Sequence, residues 1–141
     1  MNKQIALITG ATSGIGEACA RKFAEGGYNL ILTGRNAQKL NAIAAELRQT
    51  GVDVATLVFD VRQAEEARKA WESLDAAWQQ VDVLINNAGL ALGLEKEYEG
   101  DPTDWEIMID TNIKGLLTMT RLVVPGMVAR NQGHVINIGS V

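Results

Sequence analysis

Apolar positions along the chain alternate between two kinds of spacing. Short apolar runs rich in β-branched residues predict five strands, at residues 5–8, 29–33, 54–59, 81–85 and 135–138. Longer segments between these runs repeat apolar residues at helical spacing. The predicted inner faces of the first three helices are Ile15, Ala18, Cys19 and Phe23; then Ala37, Leu40, Ala44 and Leu47; then Ala64, Ala67, Trp71, Leu74 and Trp78.

The fourth predicted helix is the longest and spans residues 103–130. Thr103 and Glu106 fit a capping box at its start, and Pro125 is expected to kink or loosen its last turns. Asn112 falls on its apolar stripe and is therefore predicted to be a buried amide that needs hydrogen-bond partners. The stripe consists of Trp105, Met108, Ile109, Asn112, Leu116, Met119 and Val123.

Apolar strands separated by helices are typical of a parallel sheet that is covered on both faces. Right-handed crossovers then favour a doubly wound, Rossmann-type sheet with strand order 3-2-1-4-5. The chain carries no linker, repeat or low-complexity segment. We therefore expect residues 1–141 to form one three-layer α/β/α domain.

Composition and charge narrow the class of partner. The 141 residues carry a net charge of −4 with scattered basic residues, which argues against nucleic acid or an anionic membrane as the main partner. The single cysteine suits a reducing compartment, and no apolar run approaches the ~20 residues that span a bilayer, so a cytoplasmic protein is expected. No residue cluster has metal-ligand spacing, and the only histidine, His134, lies at the start of a strand and is interpreted as structural.

The sequence TGATSGIG at residues 9–16 joins the first strand to the first helix. Gly10 can make the tight turn, while Gly14 and Gly16 let backbone approach a ligand and let the helix pack closely on the sheet. The helix start directs N–H groups toward a phosphate. A glycine-rich connection is the alternative, but the position at the first crossover favours a dinucleotide phosphate site. Its predicted residues are Gly10, Thr12, Ser13, Gly14, Ile15 and Gly16.

The end of the second predicted strand indicates which dinucleotide is bound. NAD-selective sites usually place an acid there, on the ribose 2′-hydroxyl, whereas this strand ends at Thr33-Gly34 and is followed by Arg35. A guanidinium can bind a 2′-phosphate through two hydrogen bonds and can stack on adenine. A solvated arginine beside the helix cap Asn36 is the alternative. We predict NADP(H) rather than NAD(H).

Four motifs, in order along the whole chain, resemble the short-chain dehydrogenase/reductase family. They are the Gly-x-x-x-Gly-x-Gly loop, FDVR at 59–62, NNAG at 86–89 and INIGS at 136–140. The stretches NNAGLALG and DWEIMIDTNIKGLL are similar, more specifically, to the NADP-dependent branch that oxidises 3-hydroxy acids such as serine and allo-threonine.

This resemblance implies roles for individual residues. Asp60 and Val61 would hold the adenine, Asn112 would be the asparagine of the catalytic tetrad, and Ser140 would bond the substrate oxygen. The cofactor cleft would also be lined by Asn86, Asn87, Ala88 and Gly89. The residues alone also allow an alternative role for each. Asn112 could make a structural hydrogen bond to the backbone, Ser140 could be a turn residue, and Asp60 could be a helix cap.

The family's Tyr-x-x-x-Lys pair does not occur in this chain, since Leu32 and Pro102 stand four residues after Tyr28 and Tyr98. We therefore expect the N-terminal part of a longer enzyme, inactive alone, whose complete form transfers a hydride between NADP(H) and C3 of a 3-hydroxy acid. A general carbonyl or 3-oxoacyl reductase, a non-catalytic NADPH-binding module and an oligomerisation fragment remain as alternatives. The resemblance also implies a homo-oligomer, a dimer or a tetramer, paired through the fourth helix.

Overall fold

The computed structural model describes residues 3–88 and 101–139 of the chain. Within these residues, five parallel strands form one sheet in the order β3-β2-β1-β4-β5, so the predicted doubly wound topology is confirmed. The strands are β1 (Ile5–Ile8), β2 (Asn29–Gly34), β3 (Val54–Val58), β4 (Val83–Asn86) and β5 (His134–Asn137).

Helices of the described residues cover both faces of this sheet. They are α1 (Gly14–Glu25), α2 (Ala37–Arg48), α3 (Ala64–Glu72), α4 (Pro102–Ile109) and α5 (Gly115–Arg130), and a π-helical turn (Asp110–Lys114) joins the last two. Ile8 packs with α1 and α2, whereas Leu7 packs with α3 and α5, because successive strand residues point to opposite faces. Each fully buried side chain of this size contributes about 1.5–3 kcal/mol to folding.

The predicted inner face of α1 is only partly correct: Cys19 and Phe23 pack against the core, whereas Ala18 is exposed. Gly16, Ala20 and Ala24 are buried, whereas Ile15 is 58% exposed. A Cβ on Gly16 would collide with the carbonyl oxygen of Gly10, so only a very small residue allows this approach. Small inner residues let α1 lie close to the sheet, and they leave little hydrophobic signal in the sequence.

The predicted third helix is shorter than its apolar pattern suggests. It ends at Glu72, and the Ser73 hydroxyl donates to the carbonyl of Ala70 at 2.6 Å. Leu74 and Trp78 lie in the turns that follow, yet both still pack against the core on the α3–α5 face. A turn can therefore extend the apolar period of a helix beyond its last hydrogen bond.

The predicted fourth helix is divided in two, and its start is also corrected. Asp101, not a Thr103–Glu106 box, caps α4, because its carboxylate accepts the N–H of Thr103 at 2.8 Å. The π-helical turn adds a residue to the turn and shifts the inner face by one position. Thr111 and Gly115 are buried in place of Asn112 and Leu116, whereas Met119 and Val123 are buried as predicted and are followed by Met127.

The structure corrects two of the predictions for the apolar face of the fourth helix. Asn112 is exposed rather than buried, and Trp105 and Ile109 are 41% and 47% exposed instead of being core residues. Helix α5 continues through Pro125 and ends at Arg130, as predicted, and the next residue, Asn131, takes a left-handed conformation with φ of 52°.

Candidate functional site

A cleft of about 650 Å³ opens beyond the carboxyl ends of β1, β2 and β3. In a doubly wound sheet, ligands bind at this edge, where the strand order reverses. The described residues that line it are Gly10, Thr12, Ser13, Thr33, Gly34, Arg35, Asn36, Ala37, Phe59, Asp60, Val61, Ala88 and Thr111. The glycine loop, Arg35, Asp60, Val61 and Ala88, which were singled out from motifs far apart in the sequence, therefore meet at one cleft.

The glycines of the first loop have different structural duties. Gly10 has a φ of +61°, and a Cβ there would lie 2.9 Å from the Cα of Ala88. Gly16 lets α1 approach the loop, as described above. Gly14 has no heavy atom within 4 Å of the position of an added Cβ, so packing does not require a glycine there. Open space at Gly14 is what close approach of a ligand to the backbone needs.

Ser13 caps α1 and is committed to protein contacts. Its Oγ accepts the N–H of Gly16 at 3.3 Å and donates to the carbonyl of Gly10 at 2.9 Å. The hydroxyl hydrogen of Ser13 is thus used within the loop. The donors that α1 offers to a ligand are its first backbone N–H groups, at Gly14 and Ile15, which have no intrahelical partner by geometry.

Thr9 and Asn87 connect the first loop to the end of β4. The Thr9 hydroxyl is buried and accepts the N–H groups of Asn87 and Ala88, both at 2.9 Å. The Asn87 amide donates to the carbonyl of Gly10 at 3.1 Å and to the Ser13 hydroxyl at 3.0 Å. Sequence reasoning missed Thr9, although its place directly before Gly10 could have indicated this contact.

Arg35 and Asp60 lie side by side in the wall of the cleft. Register pairs Gly34 with Val58, so the residues that leave β2 and β3 are neighbours. Arg35 is exposed and takes part in none of the ion pairs found among the described residues. Asn36 caps α2 through its Oδ1, which accepts the N–H of Lys39 at 3.1 Å, so the predicted cap is confirmed.

The carboxylate of Asp60 is held by Arg62. The guanidinium donates to both carboxylate oxygens at 2.6–3.1 Å, and the Arg62 N–H adds a bond at 2.9 Å. This hydrogen-bonded partner holds the pKa of Asp60 below its ordinary value, with a smaller contribution from the charge of Arg35. Asp60 is not the cap of α3, since that position is Gln63.

Asn86 anchors the end of β4 to neighbouring elements. Its amide nitrogen donates to Thr120 at 3.2 Å and to Asn137 at 3.0 Å. Its Oδ1 and the hydroxyl of Thr33 are buried oxygens without a hydrogen-bond partner in the described part of the chain. Thr33 lines the cleft, so a polar ligand there could satisfy its hydroxyl.

Two predicted site residues, Gly89 and Ser140, fall outside the described residues. Asn112 lies in the π-helical turn next to Thr111, but only Thr111 of this pair is among the described lining residues. Thr111 was missed because the unshifted helical period placed Asn112 on the inner face. His134 lies at the start of β5, at the opposite end of the sheet from the cleft, as predicted, and its side chain is exposed there.

Within residues 3–88 and 101–139, no group of histidine, cysteine and acidic residues could hold a metal ion. No helix in these same ranges combines the length and hydrophobicity required to cross a membrane.

The sheet order and the glycine-rich loop at its first crossover define a Rossmann-type α/β protein. Comparison with known proteins specifies the family: the model of the short chain dehydrogenase family matches residues 4–141, and the chain belongs to this family.

Individual relatives are identical to this chain at about half of the aligned positions. An NADP-dependent 3-hydroxy acid dehydrogenase from Salmonella typhi is 54% identical over 136 residues, which are 96% of this chain and 54% of that protein. Serine dehydrogenase from Escherichia coli is 48% identical with a TM-score of 0.88, over 97% of this chain and 62% of that one. A closed form of serine dehydrogenase complexed with NADP+ gives a TM-score of 0.89 at 48% identity, over 98% of this chain and 54% of that one. The chain therefore spans about half the length of the curated relatives it matches.

Proposed function

We propose that this chain is the NADP(H)-binding part of an oxidoreductase that acts on a 3-hydroxy acid or a related alcohol or carbonyl compound. The observation that carries the proposal is the position of Arg35, a cation free of ion pairs to described residues, in the wall of the glycine-loop cleft. The names of the relatives support the cofactor and the substrate class. The activity is proposed for the whole protein that contains this chain.

The described residues fit a dinucleotide. At Gly10 and Gly16, an added Cβ would collide with neighbouring backbone, whereas Gly14 has open space at that position. The hydroxyl of Thr33 has no hydrogen-bond partner among the described residues. The start of α1 supplies N–H groups and the positive end of a helix dipole, which suit a pyrophosphate. These features favour a ligand with phosphates over a purely apolar one.

Each wall of the cleft then has a proposed role. The N–H groups of Gly14 and Ile15 bind the pyrophosphate, and Arg35 binds the 2′-phosphate. Asp60 and Val61 hold the adenine. Thr12, Ser13 and Ala88 also line the cleft, and Asn87 and Gly89 are proposed to contact the cofactor with them. Bound NADP(H) supplies or accepts the hydride.

Two further residues are proposed to act on the substrate side. Ser140 orients the oxygen of the substrate, and Asn112 holds a water molecule that connects to the lysine of the Tyr-x-x-x-Lys pair. The exposure of Asn112 suits contact with water better than the buried position expected from the apolar period. The 141-residue chain alone is expected to have no dehydrogenase activity, because it lacks that pair.

The cofactor assignment is tested with Arg35→Gln in the full-length protein. A charge-assisted hydrogen bond contributes about 1.5–3 kcal/mol, so the Kd for NADPH should rise by roughly 10- to 100-fold while the Kd for NADH changes little. Arg68→Gln is the matched control, because Arg68 pairs with Glu72 on α3 and is not among the described lining residues of the cleft. Equal weakening of both dinucleotides by Arg35→Gln would contradict the 2′-phosphate role.

The substrate class is tested by NADP-linked turnover in the full-length protein. Oxidation of serine or 3-hydroxypropionate supports a 3-hydroxy acid dehydrogenase. Turnover restricted to 3-oxoacyl or simple carbonyl substrates would replace it with a general reductase. NADPH binding without turnover of either class would favour a non-catalytic module.

We also propose that the protein is a homo-oligomer, a dimer or a tetramer. Four large apolar side chains on α4, the π-helical turn and α5 are 41–58% exposed at four-residue spacing. They form one apolar stripe, defined as Trp105, Ile109, Ile113 and Leu117. A contiguous exposed apolar surface of this kind suits contact with another protein surface.

A further inference from the structure

An acid in the wall of an NADP(H) site presents an electrostatic problem. Asp60 lines the same cleft as Arg35, and the backbone contact from Phe59 N–H to the Gly34 carbonyl, 3.1 Å, keeps the two strand ends together. A bare carboxylate there would attract the Arg35 guanidinium and would repel a dianionic phosphate. Both effects would lower the preference for a dinucleotide that carries a 2′-phosphate.

Arg62, which is not among the described lining residues of the cleft, neutralises the carboxylate of Asp60. Its guanidinium contacts both oxygens of Asp60, and the two side chains are only 28% and 18% exposed, so solvent screens the pair weakly. Arg62 is not one of the described residues that line the cleft, which leaves its charge directed at Asp60 rather than at a ligand.

The other charges near Arg62 are already matched. Asp110, at the start of the π-helical turn, also interacts with Arg62, but its carboxylate pairs with Lys114 at 3.0 Å. Asp60 and Arg62 cancel each other, as do Asp110 and Lys114. Arg35, whose charge makes the smallest contribution to the lowered pKa of Asp60, is thereby left as the cation of this group without an ion pair to described residues.

We propose that Arg62 determines cofactor preference by neutralising Asp60, so that the charge of Arg35 stays available to the 2′-phosphate. This inference rests on the proposed function, because it presumes that NADP(H) binds the cleft. It assigns Arg62 as a positioning residue that acts through Asp60 and Arg35 and touches no cofactor atom itself.

A substitution at Arg62 isolates the side chain from the local backbone. The turn after β3 is also closed by the Arg62 N–H, which donates to Asp60 at 2.9 Å, and by the Gln63 N–H, which donates to the Asp60 carbonyl at 2.9 Å. Both bonds come from the backbone of the donor residue and are retained when the guanidinium is removed.

The experiment measures Kd values of NADPH and NADH for Arg62→Gln in the full-length protein. The ratio of the two is the readout, because adenine contacts are common to both dinucleotides and cancel. The preference for NADPH should fall about three- to tenfold at low salt, and the loss should shrink in high salt as the charges are screened. Arg68→Gln, which removes an arginine from exposed ion pairs with Glu65 and Glu72, should leave the ratio unchanged.

A second pair of variants tests the electrostatic cause. Asp60→Asn combined with Arg62→Gln should restore the wild-type ratio, and Asp60→Asn alone should keep or increase the preference for NADPH. These two variants also carry the test if Arg62→Gln alone does not fold. An unchanged ratio in Arg62→Gln, or a lost preference in Asp60→Asn, would overturn the role of Arg62. Failure of the wild-type protein to bind any dinucleotide would instead overturn the proposed function.

Discussion

At the scale of single residues, two glycines of one loop have different roles: one is required by helix packing, and the other leaves space for a ligand. Gly16 lies against the Gly10 carbonyl, whereas Gly14 has open space where a side chain would begin. A sequence pattern treats the two alike, because both belong to the same spacing. The structure assigns the packing constraint to Gly16 and leaves Gly14 to the ligand side.

Gly16→Ala should therefore reduce stability, and Gly14→Ala should not. The added methyl group at Gly16 forces backbone movement, which costs about 1–3 kcal/mol, whereas the same change at Gly14 should stay within about 0.5 kcal/mol. Urea unfolding measures the first effect. Gly14→Ala should instead weaken NADPH binding. Equal unfolding free energies for the two variants would show that the approach of α1 is not limited by Gly16.

The ion pair of Asp60 and Arg62 has a pH signature. The pKa of Asp60 lies below its ordinary value of 3.8 because Arg62 binds the charged form, so the unfolded chain binds the proton more tightly. Stabilisation by this pair is fully present above the ordinary pKa of 3.8. It is lost as the pH falls from 3.8 through the lower pKa of Asp60 in the folded protein. The stability difference between wild type and Arg62→Gln should be about 1–2 kcal/mol at pH 7.

Thermal or urea unfolding at a series of pH values measures this difference. It should stay constant from neutral pH down to about pH 5 and shrink as the pH falls through 3.8. Arg68→Gln, which breaks only exposed ion pairs, provides the comparison. A difference that grows toward acid pH would contradict the assigned sign.

At the scale of elements, the Thr9 hydroxyl joins β1 to the segment after β4. It is a single buried acceptor for the N–H groups of Asn87 and Ala88. Thr9→Val keeps the shape but removes the partner of both part-buried N–H groups, which should cost about 2–4 kcal/mol. It should also weaken NADPH binding, since Ala88 lines the cleft.

Thr56→Val on β3 is the matched control for this substitution. Its hydroxyl makes one bond, to the exposed Asn41 at 3.3 Å, and water can replace it. Urea unfolding of both variants should show a clear loss for Thr9→Val and almost none for Thr56→Val. Similar losses in the two variants would mean that the β-branched packing, not the bridge, matters at Thr9.

The strands could be predicted from the sequence, whereas the inner faces of the helices could be predicted only in part. Strands of a parallel sheet are buried on both faces and therefore need continuous apolar runs such as Ile5–Ile8. Few other structures explain such short runs. The inner face of α1 consists of glycine and alanine, which carry little hydropathy signal. The π-helical turn changes the period within a helix, so the face predicted for its N-terminal half was displaced and Asn112 was placed inside.

At the scale of the whole molecule, the cleft could be predicted because parallel strands bring their carboxyl ends to one edge. The glycine loop, Arg35 and Asp60 meet there although they follow three different strands. Charge compensation by Arg62 could not be predicted, because an aspartate and an arginine two residues apart in a sequence do not reveal whether the two side chains pair. The same holds for the apolar stripe, whose exposure depends on the shifted period of the π-helical turn.

The apolar stripe makes the last prediction, which concerns assembly. Leu117 is 58% exposed at its α5 end, so Leu117→Glu should place a charge in the proposed contact between copies and shift the full-length protein toward smaller species. Light scattering after gel filtration and sedimentation velocity measure the mass. Val58→Glu is the matched control, because Val58 is also an exposed apolar residue, at 48%, but lies on strand β3 outside the apolar stripe. If Leu117→Glu leaves the mass unchanged, or if Val58→Glu dissociates the protein equally, the stripe is not the contact between copies.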